Sequence, residues 1–141
     1  MRFMKTKYTK FQLLLEGTAL LSLIVYVLFI TNEEGNLLYM KMDSSPIVAI
    51  FLYVLLTIAS YFPKLWNIPW YYKNEKNGYN VYSTTRTMII SVKLEMVWFF
   101  FLGSYIELTG KLPWIISDAF IFIIFATVIY FLVKSYRQAY E

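Results

Sequence analysis

Four long apolar runs dominate the pattern of hydrophobic and polar positions along this chain. They cover roughly Phe11–Ile30, Ser45–Phe62, Thr87–Ile106 and Trp114–Val133. A bilayer core of about 30 Å takes about 20 helical residues to cross, so each run is long enough to span, the second only just. The pattern therefore predicts an all-α integral membrane protein, a single domain over 1–141 with four transmembrane helices in an antiparallel bundle.

The positive charges lie almost entirely on alternate connecting segments. The N-terminal segment, the middle connection and the C-terminal tail are basic, whereas the first and third connections hold only Lys41 and Lys111. Cytoplasmic loops carry an excess of Lys and Arg, so this pattern predicts a protein of the bacterial cytoplasmic (inner) membrane with both termini in the cytoplasm. Because the cations flank the runs and form no single patch, we expect anionic lipid headgroups as partners and no nucleic acid.

The middle connection, 63–86, combines tryptophans, tyrosines and prolines with lysines. Amphipathic rings of this kind collect at headgroup depth, so the simplest interpretation is a cytoplasmic loop anchored at the interface. Its last part, with Tyr79–Ser91, can instead extend the third helix near the interface. The sharper interpretation is a docking loop for a partner protein or lipid. Its candidate residues are Trp66, Asn67, Pro69, Trp70 and Arg86.

Ionisable side chains interrupt three of the four apolar runs. Glu16 lies in the first, Lys93 and Glu95 lie in the third, and Asp118 lies in the fourth. A charge within a span is energetically costly, and an ionisable residue there is a candidate functional residue. Glu16, Lys93 and Glu95 therefore form a candidate intramembrane polar cluster. Lys93 and Glu95 are two residues apart and point in nearly opposite directions on a helix. Glu16 and Lys93 have similar estimated depths, which predicts an ion pair between the first and third helices. Separate snorkelling to the interface is the competing interpretation.

The residue inventory narrows the possible chemistry. The 141-residue chain has no cysteine and no histidine, which excludes disulfides, thiolate nucleophiles, imidazole bases and the usual zinc or haem ligation. Its sequence also contains no glycine-rich phosphate loop, paired catalytic carboxylates or nucleophile elbow. We therefore expect no catalytic, cofactor-binding or metal-binding residues and no enzymatic activity.

Short motifs between the second and fourth runs resemble those of a known family. They read, in chain order, Phe62-Pro63, Asn67-Ile68-Pro69, Tyr82, Arg86, Lys93-Leu94-Glu95 and Tyr105-Ile106-Glu107. This series is similar to that of small bacterial membrane proteins carrying domain of unknown function 1648. The same domain forms part of immunity proteins of the sporulation-delaying-protein type. The resemblance implies a membrane protein that protects a cell from a secreted toxin.

Two functions follow as hypotheses. The first is a small accessory or immunity-type protein, without enzymatic activity, that acts through contact with a membrane partner or toxin. The second is a small oligomeric channel or transporter that uses the charges within its spans. The neighbouring genes distinguish them, because a secreted toxin or exporter nearby favours the first and a metabolic operon favours the second.

Overall fold

The computed structural model of this chain describes residues 8–34, 45–62 and 74–140. All regular secondary structure within these ranges is α-helical. The helices are α1 (Lys10–Glu34), α2 (Ser45–Tyr61), α3 (Glu75–Thr109) and α4 (Trp114–Tyr140). They match the four apolar runs in order, with α2 ending one residue before the predicted Phe62, so the prediction of an all-helical chain with four helices is confirmed.

Local capping signals set both ends of α3. The side-chain oxygen of Asn74 accepts a hydrogen bond from the backbone N–H of Asn77 at 2.9 Å, which satisfies one of the unpaired donors at the start of the helix. At the other end, Gly110 has a left-handed backbone with φ 64°. Its N–H donates to the carbonyl of Ile106 at 2.8 Å, so α3 ends there and the chain turns into α4.

The start of α3 corrects the predicted extent of the middle connection. Helix covers residues 75–86 of the predicted 63–86 loop, and residues 63–73 lie outside the described residues. The structure contains the alternative that was predicted, in which Tyr79–Ser91 is a helical extension of the third helix. Hydropathy placed the start too late because the first turns of α3 are polar. Their side chains form hydrogen bonds to α1 and α4 and are not held by apolar burial alone.

The central helix is α3, which packs against each of the other three. Hydrogen bonds between α1 and α3 join residues that follow the same order along both helices. Those from α3 to α2 and to α4 join residues in opposite order. Helices that are neighbours in sequence are therefore antiparallel, as predicted, and α1 lies parallel to α3.

The contact between α1 and α3 has the spacing of a coiled coil. The inward positions of α1 are Gln12, Glu16, Ala19, Leu23, Tyr26 and Ile30, at alternating intervals of four and three residues. On α3, Arg86, Ile90, Lys93 and Val97 follow the same intervals. A repeat of this kind keeps one seam of each helix facing its partner along the whole contact. Ala49 and Tyr53 of α2 complete the apolar core.

The surroundings of α4 differ from those of the other helices. Of its residues, all of which the structure describes, only Ser117, Ser135 and Ala139 are buried. The small residues Ala119 and Ala126 are exposed. The small buried side chains allow α4 to approach α3 closely, while its large apolar side chains face outward.

Three helices are long and apolar enough to cross a membrane. The qualifying stretches are Lys10–Ile30, Lys76–Glu107 and Trp114–Tyr140, and α2 contributes the shorter apolar helix Ile47–Tyr61. So much outward apolar surface is foreign to a water-soluble monomer and typical of a membrane protein.

Two glycines provide a matched test of these helix ends and faces. We expect Gly110→Ala to lower the free energy of unfolding by about 1 kcal/mol, because a Cβ is strained in the left-handed conformation. Gly17→Ala should raise it by about 0.5 to 1 kcal/mol, since Gly17 lies inside α1 with no atom within 4 Å of the added methyl group. Thermal unfolding of the purified protein in detergent measures both, and effects of equal sign would contradict the assignment.

Candidate functional site

A buried ion pair joins α1 to α3. The Nζ atom of Lys93 lies 2.6 Å from Oε2 of Glu16 and donates a hydrogen bond to it. The Lys93 side chain is 0% exposed, and that of Glu16 is 17% exposed. The predicted contact between these two residues is therefore present. Separate snorkelling does not describe Lys93, whose ammonium group ends inside the protein.

Two side chains of α2 complete the surroundings of this ammonium group. Thr57 Oγ1 accepts a second hydrogen bond from Lys93 Nζ at 3.0 Å. The same nitrogen lies 4.5 Å from the centre of the Tyr53 ring, in cation–π geometry. The hydroxyl of Thr57 donates in turn to the backbone carbonyl of Tyr53 at 2.8 Å, which fixes its orientation. Two helices, α1 and α2, thus supply partners to one charge on α3.

A second polar layer surrounds Arg86, which lies two seam positions before Lys93 on α3. Arg86 Nε donates to the backbone carbonyl of Ser60 at 3.0 Å, and its Cζ atom lies 4.5 Å from the centre of the Tyr8 ring. The Ser60 hydroxyl donates to the Thr57 carbonyl, so the Tyr8 hydroxyl donates to Ser60 Oγ at 2.8 Å. Burial raises the pKa of Tyr8, which keeps this donor protonated.

The position of Arg86 corrects its assignment to the docking loop. It is 4% exposed, lies on α3 and faces the α1–α2 side of the structure. The sequence placed it in a loop because hydropathy puts the start of the third helix close to this residue. The other candidates for that loop, Trp66, Asn67, Pro69 and Trp70, lie outside the described residues.

Gln12 forms a further layer that the sequence analysis missed. It is 1% exposed, and its Nε2 atom donates to the Ser83 carbonyl and to Thr87 Oγ1, both at 3.0 Å. Its Oε1 atom accepts the backbone N–H of Thr9 at 3.1 Å, while Thr9 Oγ1 accepts that of Gln12. Thr9 and Gln12 are thus a capping box, a signal that was visible in the sequence.

Glu95 does not belong to the cluster around Lys93, which corrects the grouping of the three residues. It faces α4, where Thr127 Oγ1 donates to its Oε1 atom at 2.6 Å. The opposite directions predicted for Lys93 and Glu95 are confirmed by these separate partners. The second oxygen of Glu95 is buried without a hydrogen-bond partner, and so is Oε1 of Glu16. Asp118, the remaining candidate charge, is exposed on α4.

The arrangement has the chemistry of a closed structural contact. Within the described ranges, no three carboxylate, histidine or cysteine side chains lie together in a way that could hold a metal ion. The three cavities described for this part of the chain are lined by residues other than Glu16, Lys93 and Glu95. The ion pair links α1 to α3, and its Lys93 side chain is fully buried.

Comparison with known proteins found no family model, curated protein or solved structure that matches this chain.

A double-mutant cycle tests the ion pair. We expect Glu16→Gln and Lys93→Met each to lower the free energy of unfolding in detergent by about 3 kcal/mol, because each leaves the partner's charge buried and uncompensated. The double variant should lose clearly less than the sum of the two, since it removes both charges together. Thermal unfolding and folded yield are the measurements.

Asp118→Asn is the control for this cycle. It also removes a charge from an apolar helix, but Asp118 is exposed and lies away from the pair, so we expect little change. Additive losses from the two single variants would show that Glu16 and Lys93 do not stabilise each other.

Proposed function

We propose that this chain is a small four-span protein of the bacterial cytoplasmic membrane that has no enzymatic activity. It acts as an accessory or immunity-type protein through contact with a membrane partner or toxin. The observation that carries the proposal is that the Lys93 ammonium group is buried and hydrogen-bonded to Glu16 and Thr57. A charge enclosed in this way holds three helices together and is not presented to a passing solute. The outward surfaces remain for recognition.

The positions of the basic residues support an orientation with both termini in the cytoplasm. Lys10 begins α1, Lys76 lies in the first turn of α3, and Lys134 and Arg137 lie near the end of α4. The alternating helix directions bring these residues to one end of the structure, whereas Lys111 lies in the turn at the other. α2 has 17 residues, or about 26 Å of helix, which a modest local thinning of the bilayer accommodates.

Cysteine labelling tests this orientation on a chain that has no native cysteine. We expect Leu112→Cys, in the exposed turn between α3 and α4, to react with a membrane-impermeant maleimide in intact cells. Lys76→Cys and Tyr140→Cys, also exposed, should react only after the membrane is permeabilised. Labelling of either of these two in intact cells would contradict the four-span orientation.

The outer face of α4 supports a role in contact with another membrane component. Phe122, Phe125 and Ile129 are 75%, 63% and 60% exposed, and α4 is held to α3 by small buried side chains. Lipid and a partner protein can both cover such a face. The motif resemblance to immunity proteins of the sporulation-delaying-protein type points to a secreted toxin as the partner.

Protection from a secreted peptide tests the immunity role. The chain should be expressed in a sensitive strain that is challenged with the secreted product encoded beside its gene. We expect survival to rise by at least tenfold over the empty vector. Sensitivity equal to that of the vector control, at a normal level of the protein in the membrane, would contradict the proposal.

A channel or transporter is the second candidate, favoured by one observation. Glu95 has a buried oxygen without a partner and a Thr127 hydroxyl beside the other, an arrangement that can hold a proton or bind a cation in transit. Glu95→Gln discriminates, because it removes the charge and keeps the acceptor for Thr127. Protection that survives Glu95→Gln supports the contact role, and protection lost at an unchanged protein level supports transport.

A further inference from the structure

A polar cavity lies where the start of α1 meets α3 and the last turns of α4. Its volume is about 450 Å³. α3 lines it with Asn80, Ser83, Thr84 and Thr87. These residues are spaced at i, i+3, i+4 and i+7, so they form one continuous polar stripe along a single helix face. A stripe of this length inside a mostly apolar protein makes this cavity distinct from the apolar surfaces around it.

The remaining walls of the cavity are aromatic and basic. They are formed by Phe11 of α1 and by Tyr130, Phe131 and Lys134 of α4, together with the amide side chain of Gln138. A second cavity, of about 560 Å³, shares Tyr130, Lys134 and Gln138 with the first and adds Val133 and Arg137. No carboxylate among the described residues lines either of them. The two cavities therefore form one region with two cations and an apolar side.

Two donors in this region are available to a ligand. Thr84 already donates to Gln138 at 2.5 Å, and Thr87 accepts from Gln12. Within the part of the chain that the structure describes, Lys134 has no ion-pair partner and the Asn80 side chain makes no hydrogen bond. An ammonium group and an amide N–H beside hydroxyl groups are the donors that recognise a phosphate oxygen.

We propose that this region binds the phosphate headgroup of an anionic phospholipid. Lys134 and Arg137 attract the phosphate, Asn80 of the polar stripe donates a hydrogen bond to it, and the acyl chains follow the exposed side of α4 along Tyr130 and Val133. Basic pockets between helices on the cytoplasmic side of a membrane bind headgroups in this way. The apolar side favours a lipid over a free phosphate. This inference rests on the proposed four-span orientation.

Lipid titration of the purified full chain tests the proposal. In native mass spectrometry from detergent, we expect one phosphatidylglycerol to bind in clear preference to phosphatidylcholine. Lys134→Gln should weaken phosphatidylglycerol binding about fivefold, the effect of one basic residue at a lipid headgroup. Lys134→Arg should retain it. Lys10→Gln is the matched control, because Lys10 is an exposed cation at the same end that does not line the cavities.

Each alternative outcome is distinguishable. Equal weakening by Lys10→Gln and Lys134→Gln would show general surface attraction and would overturn a specific site. Displacement of the lipid by millimolar inorganic phosphate would show that the ligand is a free phosphate and would overturn the choice of a lipid. Because the measurement uses purified protein, it is independent of the protection experiment. Selective lipid binding without protection would contradict only the immunity role.

Discussion

The burial of one ammonium group constrains the arrangement of three helices. Lys93 lies at the middle of α3 without exposure, so its charge must be compensated from inside the protein. α1 supplies the carboxylate of Glu16, and α2 supplies the hydroxyl of Thr57 and the ring of Tyr53. A rotation or shift of either helix would remove a partner and leave a charge unpaired in an apolar surrounding, which costs several kcal/mol. Many alternative packings of these apolar helices are thereby disfavoured, although the pair itself need add little to stability.

Repeated polar layers extend this constraint along the contact between α1 and α3. The partners of Gln12 on α3 lie 71 and 75 residues further along the chain, and the partner of Glu16 lies 77 residues further. The Tyr26 hydroxyl is 2.7 Å from Oγ of Ser104, which lies 78 residues further. An offset that changes so little means that the two helices run alongside each other for most of their length. Apolar side chains pack between the layers but are compatible with several registers. The polar layers select one register, much as a buried polar residue does in a coiled coil.

The sequence alone predicts the four helices and one contact between them. The residues that it did not place correctly have physical explanations. Apolar runs predict helices directly. Glu16 and Lys93 are charges at similar depths in their apolar runs, and because each is costly alone, the sequence predicts that they pair. Thr57 gave no signal, because hydroxyl groups are common in apolar helices and bond equally well to their own backbone. Arg86 was assigned to a loop because hydropathy is averaged over a window of residues. Such an average contains no information about a guanidinium group that donates a hydrogen bond to a carbonyl of another helix. The neighbour that each face of α3 contacts depends on the packing of all the helices. The sequence therefore predicted that Glu95 and Lys93 point in different directions, but not that Glu95 faces α4.

The two faces of α3 are held by different kinds of contact, and the face toward α4 carries the proposed lipid site. Toward α1 and α2, buried apolar side chains and the ion pair act together. Toward α4, contact depends on small side chains and on a few hydrogen bonds such as those of Thr127 and Gln138. In hydrocarbon, helices gain little from burying apolar surface against each other, so close packing and hydrogen bonds decide how firmly α4 is held. Where the α3 surface turns polar, between Asn80 and Thr87, the aromatic side chains of α4 do not fill the space and a cavity remains. A headgroup there would supply hydrogen bonds that α4 does not, and would join α3 to α4 at this end of the structure.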